Sequence, residues 1–295
     1  MGYPKRYIDK LDSILSEIIQ QYRAQTFRTT NGQRITTKEQ AIKFVNDRGF
    51  VYFWPIKGIV LPSLWVAVAG DRPVANAHDD PGHVTWRWKD SLLGKNAWYY
   101  AKILRKKATM ISFEVVPYFY ALSNNFGSFE DDYLTLYEQG RLTQEAKSVY
   151  ETLLQKGSLD TIELRRESHL TSRTNDSRFD RAMAELQSDF KILPVGVTQS
   201  GGWRYAFVYD IVQRYYPDIP QKAQNISEIE ARQKLSELYF CSVGAARLKD
   251  LVRLFHWSRI HVEQSVEELI KQGFIRSCFE AENQPDEWFV LTELL

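Results

Sequence analysis

The stretch TQEAKSVYETLLQKGSLDTIELRRESHLTSRTNDSRFDRAMAELQSDFKILPVGVTQSGGWRYAFVY, residues 143–209, decides the fold. Thr143 stands where a helix N-cap belongs. Ala146, Val149, Tyr150, Leu153 and Leu154 share one face of the helix that follows, and Gly157 ends it. Asp160 with Glu163 three residues on predicts a capping box and a second helix over 161–170, carrying Ile162, Leu164 and Leu170. TSRTND (171–176) is a polar turn. Phe179, Met183, Leu186 and Phe190 then recur at i, i+4, i+7 and i+11, one face of a third helix. KILPVGV, QSGG and WRYAFVYD read as strand, turn and strand. Three helices closed by a β-hairpin make a winged helix, whose exposed last helix and wing suit a DNA groove.

Residues 226–294 repeat the pattern. The opening helix is expected over 226–239. Leu248, Leu251, Val252 and Phe255 line the next helix, and Val262, Val266, Leu269 and Ile270 line a third that stops at Gly273. FIRSCFE, the polar tip AENQPD and EWFVLTEL close this copy. The linker YYPDIPQKAQN (215–225) is short, polar and proline-bearing, so the copies are expected to pack together.

At 295 residues the chain has room for two or three domains. Apolar content of 44% and charged content of 25% fit a soluble globular protein with no membrane partner. No run approaches a membrane span, and MGYPKRYIDK has no apolar signal core. Cys241 and Cys278 are too few for a disulfide framework or a metal cluster; they read as buried small hydrophobes of a cytoplasmic protein.

A net charge of +1 restrains the nucleic-acid reading, because phosphate attraction must then come from local patches. Two patches offer it: Lys102, Arg105, Lys106 and Lys107 in YAKILRKKA, and the arginines around the first helix-turn-helix. Of the latter, Arg178 and Arg181 lie on the third helix, Arg173 just before it and Arg204 on the wing. Both patches also fit solvated helix faces laced with i,i+4 pairs. The matching helix of the second copy carries Glu263, Glu267 and Glu268, which a phosphate backbone repels. The first copy is therefore expected to read DNA, and the second to pack, brace or bind a protein partner.

In the N-terminal part, Ile8, Leu11, Leu15, Ile18 and Ile19 mark an amphipathic helix over 5–22, and TKEQ (37–40) is a capping box for a helix ended at Gly49. Trp54, Trp65, Trp86, Trp88 and Trp98 follow in an aromatic stretch. Such density fits an ordinary core or a cleft where a flat ring stacks, with Trp54, Trp86 and Trp88 as stacking candidates.

The segments TKEQAIKFVNDRGFVYFWPI, KKATMISFEVVPYFYALS and YFCSVGAARLKDLVRLFHW, in that order beside the first repeat, resemble the bacterial winged-helix DNA glycosylases of crosslink and alkylation repair, the AlkZ/YcaQ family. The likeness runs nearly end to end. It implies an α+β, helix-rich fold of three tandem winged helices, with domains over 1–135, 136–222 and 223–295. It also implies a cleft between them that admits DNA; the expected partner is duplex DNA, with no cofactor and a nucleoid-associated place in the cytoplasm. The family's further β-rich domain is not expected before Leu295.

These glycosylases carry a Gln-x-Gln or Gln-x-Asp pair after the first helix and turn. Breaking an N-glycosidic bond builds oxocarbenium-like charge, which a carboxylate or amide stabilises while positioning water. Placed by the preceding GF, the pair is replaced here by Tyr52 and Trp54. A tyrosine titrating near 10 is no base at neutral pH, and indole only donates. Other carboxylates then come into view. HDDPGH (78–83) offers Asp79 and Asp80, although a surface turn accounts for it better than a metal site, and no metal is expected. Glu114 sits in an apolar run, where burial would raise its pKa. The first reading is a non-catalytic or lesion-sensing DNA binder. The alternatives are an active glycosylase using Asp79, Asp80 or Glu114, and a protein-binding scaffold.

Overall fold

The computed structural model describes residues 13–30, 32–77, 79–125, 127–172, 175–199, 205–278 and 287–295. In chain order, the elements begin with α1 (Ser13–Thr26), α2 (Lys38–Arg48), β1 (Phe50–Tyr52), α3 (Leu64–Ala69), α4 (Val84–Leu92), β2 (Tyr99–Lys102) and β3 (Ala108–Ile111). Next come α5 (Val116–Tyr120), α6 (Asp132–Glu138), α7 (Gln144–Lys156), β4 (Leu159–Asp160), α8 (Thr161–Glu167), α9 (Asp176–Ser188), β5 (Ile192–Thr198) and β6 (Ala206–Ile211). The chain ends with α10 (Val212–Tyr215), α11 (Asp218–Ala223), α12 (Glu228–Val243), β7 (Ala245–Ala246), α13 (Leu248–Phe255), α14 (Arg259–Lys271), β8 (Ile275–Cys278) and β9 (Trp288–Leu291).

One order of elements occurs three times: helix, short strand, two helices, two strands. It runs α2-β1-α3-α4-β2-β3, then α7-β4-α8-α9-β5-β6, then α12-β7-α13-α14-β8-β9. The sheets are small, of three strands. In β4-β6-β5 and β7-β9-β8 the last strand lies antiparallel between the other two. That is winged-helix topology in an α+β, helix-rich chain. The strands β4 and β7 have two residues each, too short to carry an alternation of apolar and polar positions.

Compactness divides the chain differently from the repeats. One unit comprises residues 1–88 and 228–295, the other residues 89–227. In the first, α1 packs on the C-terminal repeat: Ile19 shares a core with Ala245, Trp288 and Val290. The last carbonyls of α12, which have no partner within their own helix, are taken up by side chains. Tyr22 Oη donates to Cys241 O at 2.8 Å, Arg48 Nη1 to the same oxygen at 2.9 Å, and Thr26 Oγ1 to Ser242 O at 2.8 Å. Arg23 donates to Val243 O at 2.7 Å and to Ala245 O at 2.8 Å. Two guanidinium groups at a helix C-terminus also oppose the negative end of its dipole. Of the helix expected over 5–22, the part before Ser13 lies outside the described residues; within α1, Ile14 and Ile18 are exposed. The capping box at Thr37 forms: Thr37 Oγ1 accepts from Gln40 N, and Gln40 Oε1 accepts from Thr37 N, both at 3.3 Å. Gly49 ends α2 at φ 76°, a conformation that favours glycine.

The second unit centres on Val149 and Leu153 of α7, Leu164 of α8, Phe179, Met183 and Leu186 of α9, and Ile192 and Ile211 of the hairpin. Thr143 caps α7 as expected, and Gly157 ends it. Four details differ from the sequence expectation. The second helix stops at Glu167 because His169 turns to φ 59°, although Leu170 still reaches the core. Asp160 caps α8 by accepting from Ile162 N and Glu163 N at 2.9 Å, while the Glu163 carboxylate lies 3.9 Å from Arg166 instead. Phe190 is buried from beyond the helix end, at φ 54°. The segment expected as a polar linker folds into α11, burying Ile219 and Ala223. In the first unit, α12 runs on past 239 to Val243, and Cys241 and Cys278 are half-buried rather than buried. No helix among the described residues is long and apolar enough to cross a membrane.

Candidate nucleic-acid interface

The N-terminal half of α9 is the exposed helix of the middle repeat. Phe179, Ala182 and Met183 face the core, which turns Arg178 and Arg181 outward. Three of the acidic residues around them are engaged, whereas Asp180 stands exposed between the two arginines. Asp176 pairs with Arg165 at 3.0 Å, Glu185 accepts from Thr143 Oγ1 at 3.0 Å, and Glu145 lies 3.5 Å from Arg178. Arg181 pairs with no acidic side chain among the described residues. Arg173, Arg204 and most of the QSGG wing tip lie outside the described residues.

The second basic patch joins the same unit. Strands β2 and β3 pair antiparallel, with Lys102 opposite Ala108. The tight turn between them buries Leu104 and leaves Arg105, Lys106 and Lys107 exposed, while Lys102 is half-buried. Arg105 and Lys106 both adopt the left-handed region, at φ 56° and 54°, which costs of order 1 kcal/mol or more apiece for residues other than glycine. The turn packs against α9, and Lys102 N donates to the buried Gln187 side chain at 3.1 Å. Two basic groups some 75 residues apart in sequence are thus brought to one helix.

A third feature had no signal in the sequence. Lys89 on α4 is buried, pairs with Asp90 at 2.7 Å and donates to Tyr205 Oη at 3.1 Å. Its ammonium stands over the rings of Phe207 at 4.4 Å, Tyr100 at 5.4 Å and Tyr205 at 5.7 Å, and Tyr205 donates to Asp90 at 2.9 Å. Burial lowers the Lys89 pKa against the pull of Asp90, and burial raises that of Tyr205. This cage anchors the strand that leaves the wing tip.

The aromatic stretch forms a cluster in the first unit. Trp54 and Trp86 stack with ring centres 5.8 Å apart and planes 18° apart. His83 lies against Trp86 at 5.6 Å and against the fully buried Trp65 at 5.3 Å. Arg72 covers Trp65 at 5.1 Å. Trp54 Nε1 and His83 Nδ1 are buried without a hydrogen-bond partner among the described residues. Trp54 and Trp86 spend one face on each other, and Trp86 remains 38% exposed. Trp88 is half-buried.

Tyr52 is fully buried, a core side chain with its backbone N donating to Pro62 O at 2.9 Å. Asp80 caps the turn at Pro81, accepting from Gly82 N at 2.7 Å and from Arg72 Nη2 at 2.5 Å; the Arg72 bond holds its carboxyl below the usual range. A carboxylate so engaged is a structural cap rather than an available base. Asp79 is exposed, and His78 lies outside the described residues. Glu114 is exposed on the turn that follows β3, so the burial expected to raise its pKa is not found. No group of three His, Cys, Asp or Glu able to hold a metal ion occurs among the described residues. On α14, Glu263 accepts from Arg259 at 2.7 Å and Glu268 lies 3.6 Å from Lys271, which offsets part of the acidity read from the sequence.

The model of a family described as AlkZ related matches residues 35–256. No curated protein matches the chain. Among solved structures, the Streptomyces sahachiroi DNA glycosylase AlkZ is similar in fold, with a TM-score of 0.57 and 12% identity over 94% of this chain and 69% of that one.

Proposed function

We propose that this chain, which belongs to the AlkZ-related family, binds duplex DNA through its middle repeat and serves DNA repair as a lesion-sensing rather than a hydrolytic protein. The observation that carries the reading is the basic turn at Arg105–Lys107 seated on α9, the helix that bears Arg178 and Arg181. With a net charge of +1, the phosphate attraction that duplex binding needs has to come from local basic groups such as these two. The strained backbone of the turn supports the same conclusion, since strain of this kind persists where surrounding structure and function require it. Trp86, 38% exposed beside Trp54, is the aromatic side chain offered to an unstacked or modified base.

Two aromatic side chains where the glycosylases carry an amide and an amide or carboxylate argue against hydrolysis at that position. An active glycosylase is the second reading, favoured by the family itself. Its burden falls on Asp79 and Glu114, because Asp80 is engaged by Arg72. A protein partner on the C-terminal repeat is supported by Ile229 and Ile260, exposed on α12 and α14. The cell compartment that fits DNA repair is the nucleoid-bearing cytoplasm.

Binding of labelled duplex across a salt series, together with base release from alkylated duplex, tests the proposal. Steeply salt-dependent binding without base release is expected. Binding that ignores salt sinks the DNA reading. Base release by the wild type that is lost in Asp79→Asn or Glu114→Gln replaces the sensor by an enzyme.

A further inference from the structure

A polar cleft of about 270 Å³ opens in the first unit between the last turns of α1 and α2, lined by none of the residues assigned above to DNA. Gln25 and Thr26 come from α1, Arg28 and Gln33 from the loop after it, and Phe44, Asp47 and Arg48 from α2. We infer that this cleft binds a phosphate group.

The charges decide the sign of the ligand. Two helix C-termini contribute about half a negative charge each. Those of α1 are already answered by the amides of Phe27, Thr29 and Thr30, which donate to Arg23 O and Ala24 O. Asp47 is neutralised by Lys43, whose Nζ lies 2.8 and 3.0 Å from its two oxygens. Arg48 also faces the C-terminus of α12 through Cys241 O, so with that end and the end of α2 counted, Arg28 and Arg48 leave an excess of roughly one positive charge. A metal cation or an amine is thereby disfavoured, and an oxyanion is favoured.

The donors fit the same class. A guanidinium presents a planar fork matched to phosphate oxygens, and the amides of Gln25 and Gln33 add neutral donors. The bond from Arg48 Nη1 to Cys241 O orients that side chain before any ligand arrives. Arg28 is held at φ 60°, a conformation an arginine pays for without any stabilising ion pair among the described residues. The volume lies just below the range of ordinary small-molecule pockets and suits a phosphate with an attached sugar. A free nucleotide and a phosphate of nucleic acid share this chemistry.

The test uses the full-length chain and inorganic phosphate at constant ionic strength. Side-chain nitrogen resonances of Arg28, Arg48, Gln25 and Gln33 are expected to shift saturably, and Arg28→Gln to weaken the response about tenfold or more. Deoxyadenosine monophosphate and a 5′-phosphorylated duplex, each against its unphosphorylated counterpart, then separate free nucleotide from nucleic acid. Drift that does not saturate, or equal shifts in Arg28→Gln, overturns the inference. An Arg178→Ala, Arg181→Ala double variant serves as the control: loss of duplex binding with phosphate shifts intact shows that the cleft is a site apart from α9. Failure of all duplex binding with phosphate shifts intact refutes the function proposed above and leaves this one standing.

Discussion

Removing Arg181 should change the salt dependence of duplex binding by a calculable amount. Each phosphate neutralised by a cationic side chain contributes about 0.9 to the slope of log affinity against log salt. Arg181 is exposed and pairs with no acidic side chain among the described residues, so Arg181→Ala deletes a whole contact. The slope should fall by about 0.9, and the penalty should shrink roughly threefold between 50 and 200 mM salt. Arg178 lies 3.5 Å from Glu145, with 65% and 24% of the two side chains exposed. A surface pair of this kind is worth about 0–1 kcal/mol, so Arg178 gives up part of its gain when it turns to a phosphate. The double variant should therefore lose between about 1 and 1.8 in slope, and Glu145→Gln should tighten binding slightly. Fluorescence anisotropy of a labelled duplex over a salt series measures all of these, with circular dichroism to confirm folding. An unchanged slope in the folded double variant, with a reduced slope in Lys271→Ala on α14, would refute the assignment and transfer reading to the C-terminal repeat.

Alkaline pH should unfold the protein steeply. Burial raises Tyr22, Tyr133 and Tyr216 to about 12, against about 10 in an unfolded chain. Folded protein then holds more protons, so the stability these groups contribute is complete below about pH 10 and is lost as pH climbs toward 12. Lys89 and Lys191, lowered by burial, act oppositely up to about 10.4, so urea midpoints should begin to drop only near pH 10; a flat profile beyond that contradicts the burial of the tyrosines. Gly82→Ala would place a Cβ 2.8 Å from Trp65 Cη2 and 3.0 Å from the Ala69 Cβ, and should cost about 1–3 kcal/mol with a shift in tryptophan emission. An unaltered melting temperature would show that the HDDPGH turn does not rest on Trp65 as described.

The helices were legible because their ends are marked locally. Thr37, Thr143 and Gly157 announce termini within a few residues, and periodic apolar positions supply the face. The strands β4 and β7 were not, since two residues carry no period. His169 and Phe190 broke expected helices through left-handed backbone that neither residue type advertises. At the candidate site, Arg178 and Arg181 could be read from helical spacing alone. The convergence of the Lys102–Lys107 turn on α9, and the cage joining Asp90 to Tyr205 across 115 residues, are products of tertiary packing. Glu114 misled for a related reason: apolar neighbours along a chain do not bury a side chain that a turn points outward.

The compact unit made from both ends of the chain has a consequence for biosynthesis. Its core brings Ile19 against Trp288 and Val290, so α1 has no partner for that face until β9 has been synthesised. The continuous segment 89–227 faces no such delay and is free to fold while translation proceeds. Newly made protein should therefore pass through a stage in which the middle is native and the two flanks still depend on chaperones.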